Sequence, residues 1–311
     1  MKSLPKFSAA LVGVAVVGLW LSLPEVRGQR LPGTEQKLRD NSASNSPAPQ
    51  MADAPGPESA EAKAAFDQAR QRLKSYPSIK AKLVETVASG NRRFTINGSY
   101  LQGGGVDLKL RMEFQVKLGE TQGSILEVCD GQVLWTRHQI GGDVRISRRD
   151  VRQILQAAAD NGQPDSLITV ELGFGGLPGL LASVEKSIQF DQYRDDTAEG
   201  RKLVVIEGGW RPDMLKFWQG NKADEPLPDD VPARVRVYLD SESLFPRRIL
   251  YLARNAEKIL RPKVSLDFSE IETGADIPAA KFKFVPPDGI IPEDLTPQFL
   301  EQIKQRGQAR K

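Results

Sequence analysis

The segment from Val106 to Leu118 alternates apolar and polar side chains without a break. Every second residue, beginning with Val106, is apolar, and the residues between them are charged or carry an amide. A period of two predicts an antiparallel strand with one face in water and one face that must be covered. A helix over the same residues would bury charges, so we exclude it. Whether the apolar face covers a core, a helix or a cavity for an apolar ligand is the functional question for the chain.

The first 28 residues have the pattern of a signal peptide. Two lysines precede an apolar run from Phe7 to Leu23, and Val26 and Gly28 stand at the positions that signal peptidase recognises before Gln29. The run is shorter than the roughly 20 residues of a membrane span. We therefore predict cleavage before Gln29 and a periplasmic or secreted protein, with an uncleaved membrane anchor as the alternative.

The remaining chain divides into three parts by composition. Residues 29–58 are rich in Ser, Ala and Pro, which predicts a disordered linker. Residues 59–290 are predicted to form the folded domain, followed by a C-terminal helix with a basic tail over 291–311. Cys129 is the only cysteine, so the apolar core must stabilise the fold without an internal disulfide.

The folded domain is predicted to be α+β in class and mainly antiparallel. Ser59 can cap a first helix that ends at Tyr76-Pro77. Helical patterns recur at 148–159 and 167–184. Eleven strands are predicted at about 79–87, 92–101, 106–118, 122–129, 132–138, 143–147, 188–194, 202–209, 233–240, 246–253 and 263–272. Because so large a sheet with one apolar face curls on itself, we expect an incompletely closed barrel of about eleven strands, with the helices as a lid or plug.

Several stretches of this domain resemble a known family. Ala279–Gly289 contains Phe-Lys-Phe-Val-Pro-Pro-Asp-Gly, Ile125–Gly131 ends in an Asp-Gly turn before Leu134-Trp135, and Val237–Ile249 has a strand-turn-strand pattern. With Ser78–Val87 as first strand, they resemble the LolA-type carriers, which ferry lipoproteins across the bacterial periplasm, and their relatives. The resemblance spans about residues 60–290. It implies an eleven-stranded open barrel with lid helices and acyl chains of lipids or lipoproteins as cargo.

One departure from the family pattern concerns the lid. Carriers of this family place an arginine-proline pair after the second strand, and that arginine helps to latch the lid. Here the matching residues, Leu101 to Val106, read Leu-Gln-Gly-Gly-Gly-Val. The sequence therefore predicts a lid that opens more easily than in those carriers.

The predicted cavity lining comes from the apolar face of the long strand and its neighbours. Methionine suits such a lining because its flexible thioether repacks around different chains. The candidates are Phe94, Ile96, Tyr100, Leu108, Leu110, Met112, Phe114 and Trp135. The alternative is that these side chains pack against the lid helices and hold no ligand. In that case the chain would be a regulatory or scaffolding protein that binds a protein partner in the cell envelope.

Other functional classes have little support in the sequence. His138 is the only histidine, which excludes a zinc site with two histidines, and we expect it at an exposed strand end. No nucleophile elbow, dinucleotide fingerprint or phosphate loop occurs, so we predict neither an enzyme nor a cofactor. A formal net charge of +3 argues against nucleic-acid binding. The aromatic stretch Trp210–Trp218 is either a tip for transient contact with a membrane or partner, or a short helix that covers one end of the barrel.

Overall fold

The computed structural model describes residues 55–89, 92–104, 109–118, 121–162, 176–219, 227, 231–255 and 257–309. The predicted signal peptide and most of the predicted linker lie outside these residues. No helix within the described ranges is both long and apolar enough to cross a bilayer.

Five α-helices and twelve strands make up the described part of the chain. The helices are α1 (Ala60–Ser75), α2 (Val151–Asp160), α3 (Gly176–Ser187), α4 (Pro212–Trp218) and α5 (Thr296–Ala309). The first six strands are β1 (Ser78–Ser89), β2 (Arg92–Gly103), β3 (Lys109–Leu118), β4 (Thr121–Cys129), β5 (Val133–Ile140) and β6 (Asp143–Asp150). The others are β7 (Ile188–Ala198), β8 (Arg201–Trp210), β9 (Arg234–Asp240), β10 (Pro246–Arg254), β11 (Leu260–Thr273) and β12 (Glu293–Asp294).

All twelve strands belong to one sheet, in the order β12-β6-β5-β4-β3-β2-β1-β11-β10-β9-β8-β7. Strands β1 to β6 form one antiparallel meander and β7 to β11 form a second. The two meanders join where β1 pairs with β11, and the short β12 adds to β6 in parallel. The sheet has two separate ends, at β12 and β7. The predicted open, mainly antiparallel barrel with covering helices is therefore confirmed, with β12 as an additional strand.

Local chemistry explains where the first elements begin and end. The Ser59 hydroxyl accepts the N–H of Ala62 at 3.2 Å, which caps α1 as predicted. The buried residues of α1 recur at helical spacing and are Ala62, Phe66, Ala69 and Leu73. At the turn between β4 and β5, Asp130 accepts the N–H groups of Gln132 and Val133, each at 2.9 Å. That side chain fixes the turn and hence the antiparallel pairing of the two strands.

The C-terminal helix is part of the barrel body. Ile303 of α5 is buried in the main apolar cluster, and α5 packs against α2 and β6. The hydroxyl of Thr296 accepts the N–H of Asp150 at 2.9 Å, and Arg148 pairs with Asp294 at 2.7 Å. These contacts hold β12 and α5 against β6 at this end of the sheet.

The aromatic stretch after β8 forms the short helix α4. Trp210 is 1 % exposed and its indole N–H donates to the carbonyl of Pro232. Its ring lies 5.6 Å from that of Trp218, and Met214 and Leu215 pack on the core. Of the two interpretations of this stretch, the structure supports the short helix, and both tryptophans of the stretch pack with the core.

Candidate ligand-binding interior

The inner face is defined here as the face of the sheet that carries Leu110 and Phe114. Paired residues on neighbouring strands lie on the same face, so the register identifies the members of this face. Leu110 pairs with Gln102, and Met112 pairs with Tyr100. The predicted lining residues that the structure brings together on the inner face are Phe94, Ile96, Tyr100, Leu110, Met112 and Phe114. Phe94 and Met112 are half-buried, and the other four are buried.

The two remaining candidates do not join this group. Leu108 lies outside the described residues. Trp135 pairs with Val128, which pairs with Arg111, so Trp135 points to the opposite, outer face. There its ring lies 5.5 Å from that of Phe284.

The Phe-x-Phe stretch near the C-terminus covers the outer face of the first meander. Phe282 is buried, and its ring lies beside Gly103 of β2. Arg111 of β3 donates to the carbonyl of Lys281 at 3.3 Å. Both faces of β3 to β5 are thus covered at this point, which is why the outward-facing Trp135 is only half-exposed.

The middle of the inner face is an uninterrupted row across seven strands. Each member pairs with the next, and every member is at most 8 % exposed. In sheet order the row is Val116, Ile96, Glu85, Leu266, Ile249, Val237 and Ile206. Six of these seven side chains are aliphatic, so the row is an apolar band with one carboxyl group in it.

Glu85 is the polar member of this row, and sequence reasoning missed it. Its exposure is 0 %, and neither carboxyl oxygen has a hydrogen-bond partner among the described residues. Burial raises its pKa to about 8. The alternation in β1 contained the signal, because Ile79, Ala81, Leu83 and Val87 place position 85 in the apolar phase.

Tyr100 connects the inner face to helix α3. Its phenol oxygen accepts the backbone N–H of Leu177 at 2.9 Å, and its O–H donates to the side-chain oxygen of Gln102. Both Tyr100 and Gln102 are buried. Burial raises the pKa of the Tyr100 phenol, so it remains a neutral donor and acceptor. The first turn of α3 is therefore anchored on β2 by a side chain that the sequence had suggested only as cavity lining.

The contact between α3 and β2 requires glycine at position 176. Gly176 has a φ of +50°, a conformation that L side chains rarely adopt. A Cβ there would collide with the Tyr100 oxygen and lie 3.0 Å from a methyl carbon of Leu110. Helix α3 thus approaches the inner face as closely as its backbone allows, and Leu177, Leu181 and Val184 complete its buried side.

The inner face becomes polar toward β6. Arg149 donates to the Thr136 hydroxyl at 3.3 Å, and its guanidinium lies 5.7 Å from the centre of the Phe299 ring of α5. Burial raises the pKa of Glu127, and the charge of Arg149 opposes this rise. Burial, Arg149 and Arg145 lower the pKa of His138, which keeps this imidazole neutral at pH 7. His138 is half-buried within β5, so the expectation of an exposed strand-end histidine was wrong.

On the outer face, a buried ion-pair cluster lies between the ends of β7, β8 and β9. The side chains of Asp191, Glu207 and Arg234 are at most 8 % exposed. Arg234 donates to Glu207 at 3.0 Å and to both carboxyl oxygens of Asp191, and Arg236 donates to Glu207 at 2.6 Å. Two positive and two negative charges balance here, which indicates a structural cluster. Within the described ranges, no group of three or more His, Cys, Asp or Glu side chains could hold a metal ion.

Comparison with known proteins gives fold-level likenesses only. No family model and no curated protein matches the chain. The chain is similar to the solved structure of the Pseudomonas aeruginosa MucA/MucB complex, with 12 % identity and a TM-score of 0.37 over 73 % of this chain and 62 % of that chain. This chain thus spans less than two thirds of that chain's length.

Two mycobacterial structures match over nearly their whole length. LprF from Mycobacterium bovis has 12 % identity and a TM-score of 0.38, with 72 % of this chain and 98 % of that chain covered. The lipoprotein LppX from Mycobacterium tuberculosis has 10 % identity and a TM-score of 0.36, with 70 % and 98 % covered. Because these TM-scores are low, the evidence for the architecture is the strand order of this chain itself.

Proposed function

We propose that this protein is a non-enzymatic binding protein, exported from the cytoplasm, that takes the acyl chain of a lipid or lipoprotein into its barrel. The observation that carries the proposal is the apolar row across seven strands, whose aliphatic side chains form one buried cluster with the mostly apolar helix α3. An acyl chain and α3 have the same surface chemistry, so they can compete for the same face. Helix α3 would then act as the lid that yields to the ligand.

The free energies of burial of α3 and of an acyl chain can be compared. The buried side of α3 consists of Leu177, Leu181 and Val184. Fully exposing three such side chains costs roughly 5 to 9 kcal/mol. A 16-carbon acyl chain gains about 0.8 kcal/mol per buried methylene, or about 12 kcal/mol if it is fully covered. The burial gained by the acyl chain thus exceeds the burial lost by α3. The polar contacts of α3, which include the hydrogen bond from Leu177 to Tyr100 and the ion pair of Glu185 with Arg70, reduce this difference.

A second candidate function has a specific observation in its favour. The ring of Phe114 fills the space above Gly98, where an added Cβ would lie 2.8 Å from a ring carbon. The inner-face side chains also form one apolar cluster with α1, α2 and α3. A barrel that stays packed in this way would serve as a scaffold, with its surface binding a protein partner in the envelope.

Native mass spectrometry on protein purified from its own host distinguishes the two functions. Acyl-chain binding predicts co-purified lipid, and delipidated protein should bind palmitic acid with displacement of an apolar fluorescent dye. The scaffold predicts a bare mass, no dye binding and a co-purified protein. A bare mass together with no uptake of dye or palmitic acid would refute the acyl-chain proposal.

A further inference from the structure

Glu85 is the one buried side chain of the central row that has unused hydrogen-bonding capacity. It is fully buried, and both oxygens lack a partner among the described residues. A buried polar group without a partner destabilises the folded state, and folded proteins contain few of them. Leucine at the same position would avoid that cost. The unpaired carboxyl group therefore lowers the stability of the fold. Its presence points to a partner that the folded chain itself does not supply.

The surroundings of Glu85 define the chemistry of that partner. Its neighbours in the row, Ile96 on β2 and Leu266 on β11, are aliphatic, and so are the row residues on β10, β9 and β8. The ionisable group whose pKa responds to its charge is Tyr251 on β10, a neutral phenol whose pKa is raised by burial and by Glu85. Burial is the cause of the raised pKa of Glu85, and no cation among the described residues offsets it. Such an environment favours the neutral carboxylic acid, which has one O–H donor and one carbonyl acceptor.

We infer that Glu85 donates a hydrogen bond to the carbonyl group of an acyl ligand held inside the barrel. This inference rests on the proposed function and adds a polar contact to it. A neutral acid complements a neutral carbonyl, whereas an amine would require an ionised carboxylate within the apolar row. Its central position would hold the carbonyl beside β1, with the hydrocarbon chain extending in one direction along the aliphatic band. The carbonyl could belong to an ester or to a protonated fatty acid, which share this chemistry.

Competition experiments on full-length protein test the inference. Methyl palmitate and hexadecane would each displace an apolar fluorescent dye at pH 6, where the acid is protonated. One hydrogen bond contributes about 0.5 to 1.5 kcal/mol, so wild-type protein should prefer the ester about 2- to 10-fold. Glu85→Gln should keep this preference, since its amide N–H can donate to the carbonyl. Glu85→Leu should lose it while still binding hexadecane.

Matched controls separate this result from a general change in the fold. Thr86→Val alters the neighbouring residue on the outer face and should keep the preference for the ester. Thermal melts should show Glu85→Leu folded, because the change removes an unpaired polar group. Palmitic acid competing as well as the ester at pH 6 but not at pH 8 would identify the free acid as an equivalent source of the carbonyl and support the inference.

Three outcomes would overturn the inference. The first is a preference for the ester that survives in Glu85→Leu, and the second is wild-type protein that binds hexadecane and ester equally. Both would leave acyl-chain binding intact. The third is a preference for hexadecylamine that disappears in Glu85→Gln, which would assign an ionised carboxylate. Protein that binds none of these compounds would instead refute the proposed function, and the inference with it.

Discussion

The phenol oxygen of Tyr100 lies 2.9 Å from the backbone nitrogen of Leu177 and accepts its hydrogen bond, which joins strand β2 to the first turn of helix α3. It is one neutral hydrogen bond, and a second polar contact of α3 is the ion pair between its Glu185 and Arg70 of α1.

Replacing Tyr100 with Phe tests this anchor. The change leaves a buried N–H and the Gln102 oxygen without their partner, which should cost about 1 to 3 kcal/mol. The loss should be local, with faster hydrogen exchange in residues 176–187 and little change in β8 to β10. Tyr238→Phe, a change on the outer face, is the matched control. Equal exchange rates in wild type and Tyr100→Phe would show that α3 is held by its packing and by the ion pair of Glu185 with Arg70, without a contribution from Tyr100.

Gly176→Ala should destabilise the protein more than Gly200→Ala. Both glycines have a positive φ, +50° and +73°, so both changes carry a backbone penalty of about 1 kcal/mol. Only at position 176 would the new methyl group collide with Tyr100, since nothing lies within 4 Å at position 200. Denaturant unfolding of the two variants measures the difference. Equal losses would mean that α3 can move away from β2 at little cost.

Glu85 should make stability depend on pH. Burial raises its pKa from 4.5 to about 8, so the folded protein keeps this proton to higher pH than the unfolded chain. The stability of the neutral form is therefore fully present below about pH 4.5 and is lost as pH rises through about 8. At about 1.4 kcal/mol per tenfold change in proton affinity, the total loss is at most about 5 kcal/mol.

Glu85→Gln should remove this dependence. We would measure the free energy of unfolding by chemical denaturation at pH 5 and pH 9. Relative to wild type, the variant should be more stable at pH 9 than at pH 5 by a few kcal/mol. Glu270→Gln is the control, because Glu270 is exposed on the outer face beside Lys82. Parallel pH profiles for wild type and Glu85→Gln would show that water reaches the carboxyl group.

Leu110→Glu separates a ligand-binding interior from a packed one. Leu110 is 0 % exposed on the inner face, whereas Lys117 on the same strand is exposed. If α3 yields to ligands, water can hydrate the new carboxylate, so the fold should survive while palmitate binding falls. In a permanently packed core the same change should cost several kcal/mol and unfold the domain. Lys117→Glu should be neutral in thermal melts and in dye displacement, and unfolding of Leu110→Glu without lipid binding by the wild type would favour the scaffold.

Arg234→Ala should be strongly destabilising. The change leaves the carboxylates of Asp191 and Glu207 buried. Glu207 keeps its ion pair with Arg236, whereas Asp191 loses its guanidinium partner and keeps the backbone N–H of Gly56. Breaking a buried ion pair from one side costs about 3 to 5 kcal/mol. Lys82→Ala removes one partner of an exposed pair, Lys82 with Glu270, and should cost less than about 1 kcal/mol. Similar melting temperatures for the two variants would mean that water enters the cluster.

The sequence alone determined the strands and the faces of those with clear alternation. In β3 and β1, the period of two separates inward from outward side chains, and this pattern is local to each strand. The cap at Ser59 and the turn at Asp130 are likewise local, because each side chain bonds to a backbone group two or three residues away. These features needed no knowledge of the rest of the chain.

The tertiary structure decided what covers each face and which polar groups find partners. Apolar residues at 133, 134 and 135 give β5 no clear phase, and pairing with β4 placed Leu134 inside and Trp135 outside. The pairing of β1 with β11 joins residues far apart in the chain, and so does the hydrogen bond between α3 and Tyr100. Whether Glu85 is paired or isolated follows from those long-range contacts, because burial and hydrogen bonding depend on neighbours that no local pattern specifies.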